Sequence, residues 1–324
     1  MFVIFVHKFE RMHKRTRSEE VQTQEPYSGE QECGVEDCKQ KAIFMVSSKI
    51  VCSIHSLSAK RRKLEKNPKS EKETLYDARA RKIKMVSLKN KAESKRGDVI
   101  VSRMEKGGRF VRRDGYLSVF PGFGDSKRRD GFVANNLSLE SLGPVRHGQA
   151  GLPVCKNIKN YHQYNLIYDD EVDENGDLVP SFYKLQKRGY INILPKQCKF
   201  DQLKMAEKGD TYKPISYLHD HKRYTLVEAR QFYCEQYEKL VVETGEFKQL
   251  KQMVNDGTNM MIVGYGGYPV TKEELCECYA DPTREFSQEL LLFSMLVIDD
   301  PFDYPWNVWM AAKEDLFNIP DYVR

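Results

Sequence analysis

Apolar residues recur at helical spacing through the last third of the chain. In TLVEARQFYCEQYEKLVVE, Leu226, Ala229, Phe232 or Tyr233, Tyr237, Leu240 and Val241 mark one helix face. Thr225 followed by Glu228 has the form of a capping box. EFKQLKQMV repeats the pattern through Phe247, Leu250, Met253 and Val254, and Asp256-Gly257 predicts its end. NMMIVGYGG reads as a short buried strand entering a glycine loop. Asp281-Pro282 predicts the start of a helix through REFSQELLLFSMLVI, apolar around most of its circumference and therefore central. The tail carries both tryptophans and is expected to dock on the body.

Upstream the periodicity shortens. DVIVSRM and GRFVRRDGYLSVFPGFG predict strands and turns, with Asp114-Gly115 a candidate hairpin turn. NNLSLESLGPVRHGQAGLP reads as a loop shaped by tertiary contacts. NIKNYHQYNLIY can open a helix at Asn157, and DDEVDENGDLVP is an acidic turn around Asn175-Gly176. SEKETLYDARARKIKMVSLKNKAESKR lacks Gly and Pro and predicts a solvated helix. Leu75, Ala78, Ile83 and Val86 give it a thin apolar stripe. The fold class is α+β: a mainly helical globular domain with short strands at 97–324. Before it come a polar arm expected to be disordered at 1–30, a small metal module at 31–57 and a basic, partly helical linker at 58–96.

The metal module is CGVEDCKQKAIFMVSSKIVCSIH, with the spacing C-x4-C-x13-C-x2-H. Zinc takes four thiolate or imidazole ligands in a tetrahedron, and two close pairs separated by a loop supply them. Cys33, Cys38, Cys52 and His55 are the candidate ligands of one structural Zn, with a short hairpin across Ser47-Ser48 between the pairs. All four positions are protein, so no place is left for a reactive water.

Composition adds an asymmetry. Residues 1–163 carry 34 Lys and Arg against 19 Asp and Glu; residues 164–324 carry 18 against 28. A basic front half points to a polyanionic partner, and Lys/Arg of residues 60–96 are the expected phosphate contacts to nucleic acid. Eight cysteines in 324 residues are too few for a disulfide scaffold and predict an intracellular, reduced protein. MFVIFV at the start is too short for a membrane span, and its charges follow rather than precede it, unlike a secretory signal. No membrane partner is expected. HKRTR at 13–17 has the form of a nuclear address. GYGGY at 264–268 lacks a phosphate-loop Lys. HDH at 219–221 could form half a metal site, and Cys155 could pair with His147 or His162 as a nucleophile.

The stretches NNLSLESLGPVRHGQAGLP, NIKNYHQY, EARQFYCEQYEKLV and MIVGYGGY resemble proteins of the giant viruses. The single C-x4-C…C-x2-H motif resembles a cysteine repeat of algal and giant-virus proteins. The order NIKNYHQYNL, EFKQLKQMV, MMIVGYGG and ELLLFSML is similar to the NADAR family, whose members are N-glycosidases acting on ADP-ribosylated guanine or on riboflavin-pathway intermediates. The resemblance implies a cleft for a nucleotide-like N-glycoside. It places Gln163 at a catalytic position, with Asn160, Tyr161, Gln163, Tyr265 and Arg284 as substrate-binding residues. It also implies a location in the nucleus or cytoplasm of an infected cell, or in the virion. Aligned on Gln163, the family's glutamate falls at Lys159, its histidine at Asn160, its lysine at Leu166 and its loop aspartate near Gly266. An oxocarbenium-like transition state needs a carboxylate near the sugar, so Glu140, Asp281 and Glu289 are candidate replacements. The alternative is a catalytically inactive structural or nucleic-acid-associated virion protein.

The zinc assignment is checked by metal analysis of the 31–57 peptide under reducing conditions. One equivalent of zinc is expected, and its loss when Cys52 is replaced by Ser. Substoichiometric metal refutes the site.

Overall fold

The computed structural model describes residues 75–122, 131–209 and 211–317, with side chains to 313, and three short strands nearer the N-terminus. The chain divides into two compact units, Met1–Thr74 and Leu75–Arg324. In the first, β1 (Glu25–Pro26), β2 (Phe44–Val46) and β3 (Lys49–Val51) form an antiparallel sheet in that order. Val46 pairs with Lys49, which is the hairpin the sequence predicts across Ser47-Ser48. The four candidate zinc ligands lie outside the described residues, as do most of the polar arm and the first part of the basic segment.

The second unit is an α+β body. It opens with α1 (Leu75–Ala92), the solvated helix read from the sequence. That helix is no linker. Ser87 Oγ lies 3.1 Å from Thr258 Oγ1, and Asn90 Nδ2 donates to Gly257 O at 2.8 Å and to Asn259 Oδ1 at 3.0 Å. The boundary therefore falls at residue 75 and not near 97. β4 (Val99–Arg103), β5 (Leu117–Pro121), β6 (Phe132–Ala134) and β10 (Met260–Gly264) make one sheet, ordered β4-β10-β5-β6, with every pairing parallel. Asp114-Gly115 is consequently not a hairpin turn, because β10 separates the two strands that flank it. β10 is buried at every residue, as its unbroken apolar run requires of a central parallel strand.

Alternation along the strands gives the sheet two apolar faces. Val99, Val101, Val119, Met260 and Ile262 join the main core, together with helix α8 (Gln288–Val297). Phe120, Met261 and Val263 face the other way, under Met104, Phe110 and Tyr116 of the β4–β5 crossover. A smaller antiparallel sheet, β7 (Leu166–Ile167), β8 (Ser216–His219) and β9 (Lys222–Tyr224), follows α2 (Ile158–Asn165). Asn157 caps α2 as expected, its Oδ1 accepting from Asn160 N at 2.8 Å. HDH is the β8–β9 turn. Asp220 and His221 both have positive φ, the conformation of a two-residue hairpin loop.

The remaining helices are α3 (Pro180–Ile191), α4 (Gln202–Lys208), α5 (Arg230–Val241), α6 (Gly245–Asn255), α7 (Leu275–Ala280) and α9 (Pro305–Phe317). The Thr225/Glu228 capping box forms, with Thr225 N donating to Glu228 Oε2 at 2.8 Å and Glu228 N to Thr225 Oγ1 at 3.2 Å. Regular helix begins only at Arg230. α8 starts at Gln288, later than Asp281-Pro282 suggests. The buried Arg230 guanidinium holds the carbonyls of Cys278, Tyr279 and Arg284, pinning that stretch in a non-helical path.

Several buried polar groups of the body are satisfied in networks. Asn165 donates to Tyr217 Oη at 3.1 Å and accepts from Gln186 Nε2 at 2.6 Å and Tyr190 Oη at 2.9 Å. Lys199 is buried beneath the rings of Tyr168 and Phe182 and donates to Glu171 Oε2 at 2.5 Å. Its burial lowers its pKa to about 8, with Glu171 opposing the shift.

Helices α2 and α3 meet at Gly189, where a Cβ would lie 2.1 Å from the Tyr164 ring. Gly189→Ala is expected to destabilise the protein by about 1–3 kcal/mol through overpacking, although Ala favours a helix by about 1 kcal/mol over Gly. Urea denaturation measures it. A stabilised variant would refute the tight crossing.

Candidate functional site

A cleft of about 480 Å³ opens beyond the C-terminal ends of β5 and β10, where parallel sheets commonly bind ligands. One wall is α2. Lys159, His162 and Gln163 occupy positions i, i+3 and i+4 and so share one helix face. Pro121 and Gly122 follow β5; Ser138, Leu139 and Glu140 follow β6; Tyr265 and Gly266 follow β10. The last wall is the segment from Glu285 to Glu289 that leads into α8.

The walls are tied together. Gln288 Oε1 accepts from Leu139 N at 3.1 Å and its Nε2 donates to Pro121 O at 3.2 Å. Tyr233 of α5 donates to Phe286 O at 2.6 Å, and Ser287 Oγ to Gly266 O at 3.0 Å. Gln197 Nε2 donates to Glu140 Oε1 at 2.6 Å. These bonds give the cleft a set shape before any ligand arrives.

Glu289 is the most enclosed carboxylate of the cleft, 3% exposed. Its head lies against the glycine loop. A Cβ on Gly264 would fall 1.6 Å from Oε1, and one on Gly266 would fall 3.2 Å from Oε2. The glycines after β10 thus make the space this carboxyl occupies. Burial pushes its pKa above the usual carboxylate range, with hydrogen bonds from Ser287 and its own amide pulling the other way.

His162 sits between the rings of Tyr217 (centroids 5.6 Å apart, stacked) and Tyr233 (4.9 Å, edge-on). Desolvation, helped by the charge of Lys159, lowers its pKa to about 4, so the imidazole is neutral at pH 7. Its Nδ1 is enclosed, with no hydrogen-bond partner among the described residues.

The structure brings Gln163, Tyr265 and Glu289 together in this cleft, along with Glu140 and Lys159. It does not bring the other predicted residues there. Asn160 is fully buried; its Nδ2 donates to Asn192 O at 2.9 Å and Leu194 O at 3.1 Å, and its Oδ1 accepts from Lys196 N at 2.8 Å. Tyr161 is 1% exposed, with its hydroxyl 3.2 Å from His219 Nδ1. At about 100° per residue, a helix that turns Lys159 and Gln163 to the cleft turns 160 and 161 away from it. Asp281 pairs with Arg284 at 3.2 Å and caps Thr283, and Arg284 donates to Cys278 Sγ at 3.2 Å; neither lines the cleft.

Cys155 is fully buried, donates to Asn157 O at 3.4 Å and has its thiol pKa pushed up to about 11, which argues against a nucleophile. No group of three or more His, Cys, Asp or Glu placed to hold a metal occurs among the described residues. Sequence reasoning did not connect His162, Glu285 or Gln288 with the cleft. The signal for His162 was present, because it lies on the face of α2 already marked by Lys159 and Gln163.

His162 makes stability pH-dependent. Its folded pKa is below the unfolded value of 6.5, so the unfolded chain binds the proton first as pH falls. Stability is therefore lost between about pH 6.5 and pH 4, by about 3 kcal/mol in total. Urea midpoints from pH 7 to 4.5 should fall less steeply for His162→Phe than for the wild type. Equal slopes would refute the assignment. Comparison of the chain with family models, curated proteins and solved structures returns no match.

Proposed function

We propose that the cleft binds a nucleotide-like N-glycoside, such as ADP-ribosylated guanine, and hydrolyses it with Glu289 as the acid. One observation carries the reading: a buried carboxyl with a raised pKa, seated on the Gly264–Gly266 loop in the same cleft as Gln163. A general acid for a departing base must carry a proton, and burial raises this carboxyl's pKa in that direction. The volume suits a small ligand. With Glu289 protonated, Glu140 and Glu285 still outnumber Lys159 around the cleft, which favours the positive charge that develops on the sugar. In this mechanism the C1–N bond breaks and Glu289 protonates the leaving nitrogen. Water adds to C1 and gives its proton to Glu140. Gln163 holds a sugar hydroxyl or the water, and neutral His162 offers hydrogen-bonding capacity to the base. The zinc module and the basic residues of 60–96, of which 75–92 form α1 on the body, hold nucleic acid.

A second reading, binding without turnover in a structural or nucleic-acid-associated virion protein, is favoured by Lys159. An ammonium at the cleft opposes charge developing on the sugar.

The full chain titrated with ADP-ribose and with an ADP-ribosylated oligonucleotide should show a rise in Tm and release of the base. Glu289→Gln should lower turnover by about 10²–10⁴-fold while keeping the Tm shift. A shift without turnover selects the second reading. Neither shift nor turnover refutes both.

A further inference from the structure

Residues 75–115 carry 13 Lys and Arg against five Asp and Glu, the strongest charge imbalance in the described unit. The fold gathers much of that charge. α1 docks on the body through Ser87 and Asn90, which bond the turn at 256–259, and through Val86, which lies against Gly115. That packing sets the middle of α1 beside the β4–β5 crossover. Lys82 Nζ reaches Asp114 Oδ2 at 2.5 Å, and Arg79 is near enough to lower the same carboxyl's pKa. Arg112 and Arg113 adjoin Asp114 in the chain. Asp114 thus stands beside two cations of α1, Lys82 and Arg79, and residues 75–115 keep a net positive charge.

The arginines of the crossover are held in place. The Arg112 guanidinium lies 4.6 Å from the Phe110 ring centroid and Arg113 lies 4.7 Å from that of Tyr116. Phe110 is itself anchored edge-on against Phe120, 5.5 Å away, and Tyr116 donates to Asp98. Ring stacking orients a guanidinium without cancelling its charge, which lowers the entropy cost of meeting an anion. Lys84 and Lys89 extend the exposed charge along α1, a rigid rod about 27 Å long.

We propose that α1 and the β4–β5 crossover together form a surface that binds the phosphate backbone of nucleic acid, with Lys84, Lys89, Arg112 and Arg113 as principal contacts. The inference is independent of the cleft chemistry. It rests on the nucleic-acid reading of residues 60–96 given above, narrows that reading to α1 of the folded unit and adds the crossover loop. Lys84 and Lys89 flank the solvent side of α1, and a phosphate backbone lying along the helix can meet both. A lipid surface fits less well, because the exposed pair Met85 and Leu88 is flanked by Lys84 and Lys89 and Leu75 lies ten residues away, so no continuous apolar face runs along α1.

The test is fluorescence anisotropy of the full chain with a labelled duplex of about 20 base pairs between about 50 and 200 mM salt. Polyglutamate and phosphatidylserine vesicles are run in parallel. The wild type should bind the duplex and weaken steeply with salt. The variant Lys84→Ala/Lys89→Ala/Arg112→Ala/Arg113→Ala should bind at least about tenfold more weakly at 100 mM, and its log K against log salt slope should be shallower by about 3–4. Asp114→Asn, which leaves all four contacts in place, should bind more tightly, and this keeps the proposal testable if the quadruple variant misfolds. The proposal is overturned by unchanged affinity and slope in a folded quadruple variant, which would place the contacts elsewhere in the chain. It is equally overturned by unchanged binding in Asp114→Asn, by preference for polyglutamate or vesicles, or by no binding of the duplex.

Discussion

The insertion of β10 between β4 and β5 is the pairing on which the rest of the body depends. Met260 to Gly264 hydrogen-bond to strands more than a hundred residues earlier in the chain, and all five residues are buried. Such non-local pairing has a high loop-closure cost, which burial on both faces of the sheet must offset. One face receives α8 and the main core; the other is closed by Met104, Phe110 and Tyr116 of a crossover without a helix. That crossover also carries the arginines of the basic surface. The same strand delivers the glycine loop to the cleft, so sheet, cleft and charged surface share one structural origin.

The cleft is built by excluding side chains as much as by placing them. Gly264 and Gly266 leave the space that the Glu289 carboxyl fills. Enclosure makes its proton harder to remove. His162 experiences the opposite consequence of the same desolvation, since burial raises an acid and lowers a base. The cleft therefore combines a carboxyl that tends to keep its proton with an imidazole that tends not to accept one. Gln288 and Ser287 brace the walls through backbone carbonyls and amides, holding these groups without adding further charge.

Elsewhere several buried amides and charges are matched by partners. Asn165, Gln186, Tyr190 and Tyr217 satisfy one another where α2, α3 and β8 meet. Lys199 lies with Glu171 beneath aromatic rings. Asn160 belongs to the same structural class: an amide with its donors and acceptor matched to backbone groups has little left for a ligand. That is the physical reason a residue resembling part of a substrate site in the sequence turns out to hold a loop in place.

Local rules written in the sequence determined a good deal. The α5 and α6 faces, the Asn157 cap, the Thr225/Glu228 box and the all-buried β10 were legible because each depends on neighbours a few residues away. The helical period of α2 already separated Lys159 and Gln163 from Asn160 and Tyr161. What the sequence could not decide was long-range. The β4–β10–β5 order, the docking of α1, the late start of α8 imposed by Arg230 and the choice of Glu289 over Asp281 as the enclosed carboxylate all depend on groups distant in the chain. Only the tertiary structure brings them within hydrogen-bonding or van der Waals reach.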